Sequence, residues 1–387
     1  MKVIRTATVS QSLNILLKGQ LKYLSSFYEV IGLSSSGADL EMVQNREKIR
    51  TIAVEMERGI SPLKDIISLF RLYWVLKKEK PLIIHSITPK AGLLCMLAGK
   101  MAGVPIRIHT FTGLIFPSKK GMMHKLLIKM DQLLCWAATN IYPEGNGVKN
   151  DLLAYNITKK PLKVLANGNI NGIDLLYFDR QRINQETCDQ LKVSLGILPE
   201  DFVFIFAGRL VRDKGINELI EAFNKLTNCA VKLLLVGPLE SELDPLSPIT
   251  IHEMKHNPNI ISVGFQPDIR PYMAIAHSLV FPSYREGFPN VVIQAGAMEL
   301  PSIVSNISGC NEIIVEGVNG TIIPVKDADA IRISMLKMME DKDFYDQTRA
   351  NARAMIKNRY EQDLVWNAVL NEYNSLVNTL KVDTYVS

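Results

Sequence analysis

Residues Val280–Ile303 read VFPSYREGFPNVVIQAGAMELPSI. Val280, Phe281 and Pro282 close a short apolar strand, Ser283 to Phe288 make a polar turn, and Val291, Ile293, Ala295, Ala297 and Met298 belong to a nearly all-apolar helix. A buried strand that turns directly into a helix is the repeating unit of a parallel α/β sheet. The turn aims one carboxylate, Glu286, and several free backbone N–H groups at one point, which suits a ligand carrying hydroxyls and phosphates. Gln294, eight positions further on, falls on roughly the same side of the helix. The spacing alone also fits a plain helix N-terminus whose acidic residue complements the macrodipole.

A second segment, Phe202–Leu219, reads FVFIFAGRLVRDKGINEL. Five apolar residues form a strand buried on both faces, and Gly208 ends it. Arg209 and Lys214 bracket a short loop, and Gly215 opens a helix with apolar positions at Ile216, Leu219, Ile220 and Phe223. Two cations at a strand's carboxyl end beside a helix N-terminus make an anion site, and in an open α/β sheet ligands bind at this end. Taken alone, the loop is also compatible with a solvated charged turn.

Together the two segments resemble the retaining glycosyltransferases of family 4, whose fold is the two-domain GT-B type. In that family a Gly-Arg-Leu-x-x-x-Lys-Gly segment holds the donor diphosphate, matched here by Gly208, Arg209, Leu210, Lys214 and Gly215. A Glu-x7-Glu element holds the donor sugar and ribose; its first Glu is matched by Glu286, and its second is replaced by Gln294. Gln is neutral and offers one acceptor oxygen where a carboxylate offers two. Turns at Ser308–Glu312 and Gly317–Gly320 fall where similar enzymes carry Gly-x-x-Glu and Gly-x-x-Gly. The resemblance covers essentially the whole chain. It implies two Rossmann-like parallel-sheet domains facing a central cleft, with donor-binding residues Gly208, Arg209, Lys214, Glu286, Gly287, Phe288, Pro289, Asn290 and Gln294.

Alternating strands and helices occur twice over. The first half has strands near Lys2–Val9, Glu29–Leu33, Leu82–Ile87, Ile106–Thr110 and Lys163–Ala166, with helices near Leu13–Ser25, Pro62–Lys78, Lys90–Ala102 and Met122–Ala138. The second half has strands near Phe202–Ala207, Lys232–Val236, Ile260–Val263, Leu279–Phe281, Ser302–Ser305 and Thr321–Pro324. Between them the turn-rich run Asn167–Asp174, followed by the polar segment Asp179–Gln190, reads as linker and cleft floor. The expected division is an acceptor-side domain over 1–175, a donor domain over 176–360, and a final helix in 361–387 that by resemblance crosses back to the first domain. A length of 387 residues exceeds one ordinary core and fits two α/β domains.

His109 ends the strand Ile106–Thr110 and is expected to face the cleft from a strand's carboxyl end. By resemblance it touches the donor sugar or lines the reaction centre, which makes the catalytic set Glu286, His109, Arg209 and Lys214. A purely structural histidine is the alternative, and His85 ends the preceding strand in similar fashion. The remaining histidines have no metal-ligand spacing and no Asp-x-Asp run occurs, so no catalytic metal and no cofactor are expected. Neither GxGxxG after the first strand nor GxxxxGK[ST] is present, which argues against dinucleotide dehydrogenases and P-loop enzymes.

The activity implied is transfer of a sugar from a nucleotide donor, a UDP-sugar with galactose or N-acetylhexosamine preferred, to a lipid-linked saccharide in surface polysaccharide synthesis, with retention of configuration. A UDP-sugar 2-epimerase of the same fold and a non-catalytic sugar-nucleotide or polysaccharide-binding protein are the rivals. Five scattered cysteines, Cys95, Cys135, Cys188, Cys229 and Cys310, read as buried thiols, and the N-terminus lacks a signal peptide's apolar core. The expected location is cytoplasmic, peripheral at the inner face of the membrane, with no nucleic acid partner. Charge supports the membrane: residues 1 to 180 hold 25 Lys and Arg against 13 Asp and Glu, a net of +12, and the rest hold 19 against 26. Lys119, Lys120, Lys125 and Lys129 alternate there with Met122, Met123, Leu126 and Leu127, which suits an interfacial helix as well as a core helix with a solvated lysine face.

Overall fold

The computed structural model describes residues 1–226, 230–240, 242 and 244–386, with side chains apart from those of 118 and 383–386. Cys229 therefore lies outside the described residues, and the other four cysteines are free thiols in buried positions. The chain divides into two compact units, residues 1–172 with 362–387, and residues 173–361.

The first unit is a six-stranded sheet: β1 (Lys2–Thr6), β2 (Glu29–Ser34), β3 (Arg50–Ala53), β4 (Ile83–Ser86), β5 (Ile106–Phe111) and β6 (Asn140–Pro143), in spatial order β3-β2-β1-β4-β5-β6. Every pairing is parallel. Successive residues of a strand point to opposite faces, so Val3 and Ile83 enter one apolar core while Ile4 and Ile84 enter another. Helices Ser10–Leu16, Gln20–Ser25, Ala38–Glu47 and Gln362–Val386 supply the first core. Helices Pro62–Glu79, Pro89–Ala102 and Gly121–Ala137 supply the second. The last helix is tied in by Trp366, whose Nε1 donates to the Asn171 carbonyl at 3.0 Å, and by Tyr373, whose hydroxyl meets Arg5 Nη1 at 2.9 Å.

The second unit repeats the plan with β7 (Phe202–Ala207), β8 (Val231–Val236), β9 (Ile260–Gly264), β10 (Ser278–Phe281), β11 (Ser302–Ser305) and β12 (Gly320–Ile323), in order β12-β11-β10-β7-β8-β9. Counted from its own first strand, each unit has the doubly wound order 3-2-1-4-5-6. Each sheet therefore reverses its winding between its first and fourth strands, opening a crevice at their carboxyl ends. In the second unit these strands are β7 and β10, directly paired with Ser278 opposite Phe204.

Three local expectations are corrected. Leu13–Ser25 is two helices, because Gly19 between them has a φ of 82°. Lys163–Ala166 is not a strand: Ala166 sits at a φ of 49°, and the segment pairs only through isolated bridges. The strands that the pattern misses, β3 and β6, are the two edges of the first sheet. Each edge strand has one full ladder and is four residues long, β6 adding only a single bridge from Ile141 to Leu162, so neither need read as a continuous apolar run, and the Pro143 of β6 is tolerated.

Candidate active site

At the switch point of the second unit two turns meet. The turn after β7 carries Gly208, Arg209 and a short 3-10 segment Arg212–Lys214, and ends at Gly215, from which helix Ile216–Asn224 starts. The turn after β10 carries Ser283 to Pro289 and feeds helix Asn290–Ala297. Gly215 has a φ of 72°, and a Cβ there would lie 2.1 Å from the carbonyl oxygen of Pro282, so only glycine lets these two turns touch. Gly309, in the turn after β11, plays the same part against the Gly287 carbonyl, with a virtual Cβ at 2.5 Å.

This contact sets Lys214 beside Glu286. The ammonium donates to Glu286 Oε1, and the Ser283 hydroxyl donates to the same oxygen at 2.9 Å. Both side chains are mostly withdrawn from water, at 16% and 17% exposure, so their attraction is weakly screened. Arg209 is half-exposed, and its Nη1 is held by Glu240 Oε2 at 2.8 Å. Further out, Tyr284 donates from its backbone N–H to the Asp213 carbonyl at 2.8 Å and from its hydroxyl to Glu218 Oε1 at 2.6 Å. The β7 and β10 turns are thus stitched together by main chain and side chain alike. The first N–H groups of both helices lack intrahelical partners and start from the carboxyl ends of adjacent strands. Cations, one carboxylate and two helix N-termini in such a crevice can hold a diphosphate and orient a neighbouring polyol.

Of the other residues expected at the donor site, Gly208 and Gly287 are half-buried, Phe288 and Pro289 are buried, and Asn290 is exposed. Phe288 packs edge-on against Tyr360 and is a wall, not a polar contact. The helix begins only at Asn290, so Glu286 belongs to the preceding turn and does not share a helix face with Gln294. Gln294 is half-buried, and its side-chain amide has no hydrogen bond among the described residues. Ser283, which fixes the Glu286 rotamer, carries no motif signal in the sequence; only its place just past the strand could have suggested it.

His109 corrects the reading of the first half. β5 runs on to Phe111, so His109 is an interior strand residue, 1% exposed, with Nδ1 at 2.8 Å from Ser86 Oγ. Its ring fills the space that Gly92 leaves in helix Pro89–Ala102, where a Cβ would lie 2.5 Å away. Burial pushes its pKa down to about 3. Past this strand Thr112, Gly113 and Leu114 are half-buried, and Ile115 is the first exposed residue. Among the described residues no group of three or more His, Cys, Asp or Glu side chains is placed to hold a metal ion.

Two doubly wound units of this order, with cations and a carboxylate at the switch point of the second, have the architecture of a GT-B glycosyltransferase. The chain belongs to the group 1 glycosyltransferases: residues 189–355 match the family described as "Glycosyl transferases group 1", and residues 7–143 match "Glycosyl transferase 4-like". It is similar to the capsular polysaccharide biosynthesis glycosyltransferase CapM of Staphylococcus aureus, 31% identical over 97% of both chains. It is also similar to the UDP-Gal:alpha-D-GlcNAc-diphosphoundecaprenol alpha-1,3-galactosyltransferase of Escherichia coli, at 30% identity over 74% of this chain and 73% of that one. The fold matches the crystal structure of HepE from Anabaena in complex with UDP, with a TM-score of 0.81, 16% identity, and coverage of 97% of this chain and 100% of that chain.

Proposed function

We propose that this glycosyltransferase moves a hexose or N-acetylhexosamine from a UDP-sugar to a hydroxyl of a lipid-diphosphate-linked saccharide, with retention of configuration. The observation that carries the reading is the Lys214–Glu286 pair at the switch point of the second unit. Without a donor, each charge satisfies the other. An arriving diphosphate is a stronger partner for the ammonium, and its binding frees the carboxylate for the hydroxyls of the sugar. Arg209, released from Glu240, adds the second cation. Both matter most as the diphosphate departs and its charge develops. No protein nucleophile takes part; the departing diphosphate accepts the acceptor's proton on the face it leaves. Gln294 holds the ribose. No metal or cofactor is required.

His109 keeps only an indirect part in this proposal: through Ser86 and Gly92 it holds the end of β5 from which Thr112 and Gly113 emerge. Transfer is favoured over 2-epimerisation by the family match and by the names of the relatives, which are transferases. The lipid-linked acceptor and the UDP donor are carried over from the Escherichia coli relative. The basic first half is the side that meets the inner membrane surface. The test is a mass-spectrometric screen of UDP-sugars for slow hydrolysis, followed by transfer to a diphosphate-lipid saccharide. A protein that binds UDP but neither hydrolyses nor transfers any donor would be a binding module, and solvent isotope entering the sugar would mark an epimerase.

A further inference from the structure

Helix Pro62–Glu79 is anchored to the first unit by Leu72 and Leu76, which are buried in the core. Its opposite side is also apolar. Leu63, Ile66, Ile67, Phe70 and Trp74, at positions i, i+3, i+4, i+7 and i+11, form one stripe between 52% and 80% exposed. Single exposed apolar residues are ordinary on a protein surface, but a contiguous stripe of five large ones marks an interaction face.

The neighbouring surface continues it. Helix Gly121–Ala137 packs on the other flank of Pro89–Ala102, on the same side of the sheet, and it exposes Met122, Met123, Leu126, Leu133 and Trp136. The fully exposed charges on these two helices are all cations; Asp131 of the second helix is half-buried, and Lys64 of the first pairs with the exposed Glu57 that precedes it. Both acidic side chains of helix Pro62–Glu79 are turned to partners in the fold: Asp65 to Lys90 at 2.6 Å, and Glu79 to Lys2 at 2.8 Å and to Arg50. Arg71, Lys77 and Lys78 stay exposed, as do Lys119, Lys120, Lys125 and Lys129 at the start of the second helix. Among the described residues no helix is long and apolar enough to cross a membrane. An apolar stripe edged by cations, with tryptophans on its rim, is the form of a helix that lies in the plane of an anionic bilayer.

We infer that helix Pro62–Glu79 is the element that inserts into the membrane, with Leu63, Ile66, Ile67, Phe70 and Trp74 in the acyl boundary and the lysines of both helices on anionic headgroups. This deepens the membrane reading above, which rested on the basic charge of the first half and on the 119–129 segment alone. The occupant is a bilayer and not a second copy of the chain, because two such faces brought together would oppose cation to cation.

The chain carries its own probe. Of its three tryptophans, Trp74 and Trp136 are exposed, while Trp366 is half-buried with its Nε1 on the Asn171 carbonyl. In a Trp136→Phe variant of the full chain, mixing with phosphatidylglycerol-containing vesicles should shift the emission to the blue, and brominated acyl chains should quench it. Pure phosphatidylcholine should do neither. Adding Ile67→Glu and Phe70→Glu, both at exposed sites, should abolish the quenching and weaken vesicle binding on the order of 100-fold, with UDP binding unchanged. Charge reversal at Lys119, Lys120, Lys125 and Lys129 should lower affinity and leave quenching of the bound fraction intact. The inference is overturned if vesicle-bound protein shows no Trp74 quenching, if the Glu variant binds as tightly as its parent, or if self-association without lipid buries Trp74. None of these readouts needs a donor or acceptor, so a failure of the sugar-transfer reading would show separately.

Discussion

The Lys214 ammonium is hydrogen-bonded to Glu286 Oε1, although the two residues stand 72 positions apart in sequence. Adjacent strands β7 and β10 deliver them to the same end of the sheet, and Gly215 against Pro282 closes the last few ångströms. In the proposed reaction these groups part: one follows the phosphates, the other the sugar.

Arg209→Ala and Lys214→Ala should each lower turnover on the order of 100-fold, because each removes a cation that counts most as the diphosphate leaves. Glu286→Ala should abolish most transfer while UDP affinity by calorimetry stays close to that of the parent. Near-normal turnover in both cation variants would sink the clamp. A collapse of UDP affinity in Glu286→Ala with surviving turnover would reverse the assigned roles.

Glu240→Gln should tighten UDP binding. The Arg209–Glu240 pair is 50% and 35% exposed, so it is a weak competitor for the guanidinium. Removing the carboxylate should gain up to about 1 kcal/mol, a several-fold drop in Kd. Weaker binding by this variant would place Glu240 among the donor contacts instead of against them.

Gln294→Leu should weaken nucleotide binding by roughly 1 to 3 kcal/mol, by leaving ribose hydroxyls without a partner. Gln294→Glu should bind equally well or more tightly, since a carboxylate accepts from both hydroxyls. An unchanged Kd in the Leu variant would remove Gln294 from the ribose site.

Acid should unfold the first unit in part through His109. Its native pKa is held at about 3 by burial, against about 6.5 in an unfolded chain. Between these values the unfolded state binds a proton that the native ring refuses. Stability is therefore complete above about pH 6.5 and falls toward pH 3 by up to about 1.4 kcal/mol per pH unit. His109→Asn keeps an amide within reach of Ser86 and cannot titrate, so its urea midpoint should fall less on acidification than that of the parent. All three tryptophans lie in the first unit, so their fluorescence follows the part that holds His109. Parallel pH slopes for the two proteins would contradict a neutral buried ring.

The strand-turn-helix form of the β7 and β10 turns is legible in the sequence because each is a local signal within about twenty residues, with Arg209, Lys214 and Glu286 at fixed offsets. The place of His109 is not legible for an equally local reason: the strand runs one residue past Thr110, and nothing in IRIHTF tells an interior position from a mouth position when both neighbours are apolar or hydroxylated. The edge strands β3 and β6 are hard to read because each spans only four residues, too short to show a strand period, and β3 is largely uncovered.

The sequence by itself determined the α/β alternation, the twofold repetition of the plan and the chemistry of the β7 and β10 turns, because strand period, helix period and turn residues are properties of neighbouring positions. Tertiary structure alone decided which residues meet and which face water. Lys214 reaches Glu286 only through the pairing of β10 with β7. Leu63, Ile66, Ile67, Phe70 and Trp74 look no different in sequence from Leu69, Leu72 and Leu76 on the other side of the same helix. A helix apolar on two opposite sides does not say which of them meets the core, and only its packing, at the outside of the first unit with one side on the core, leaves the other side for a partner.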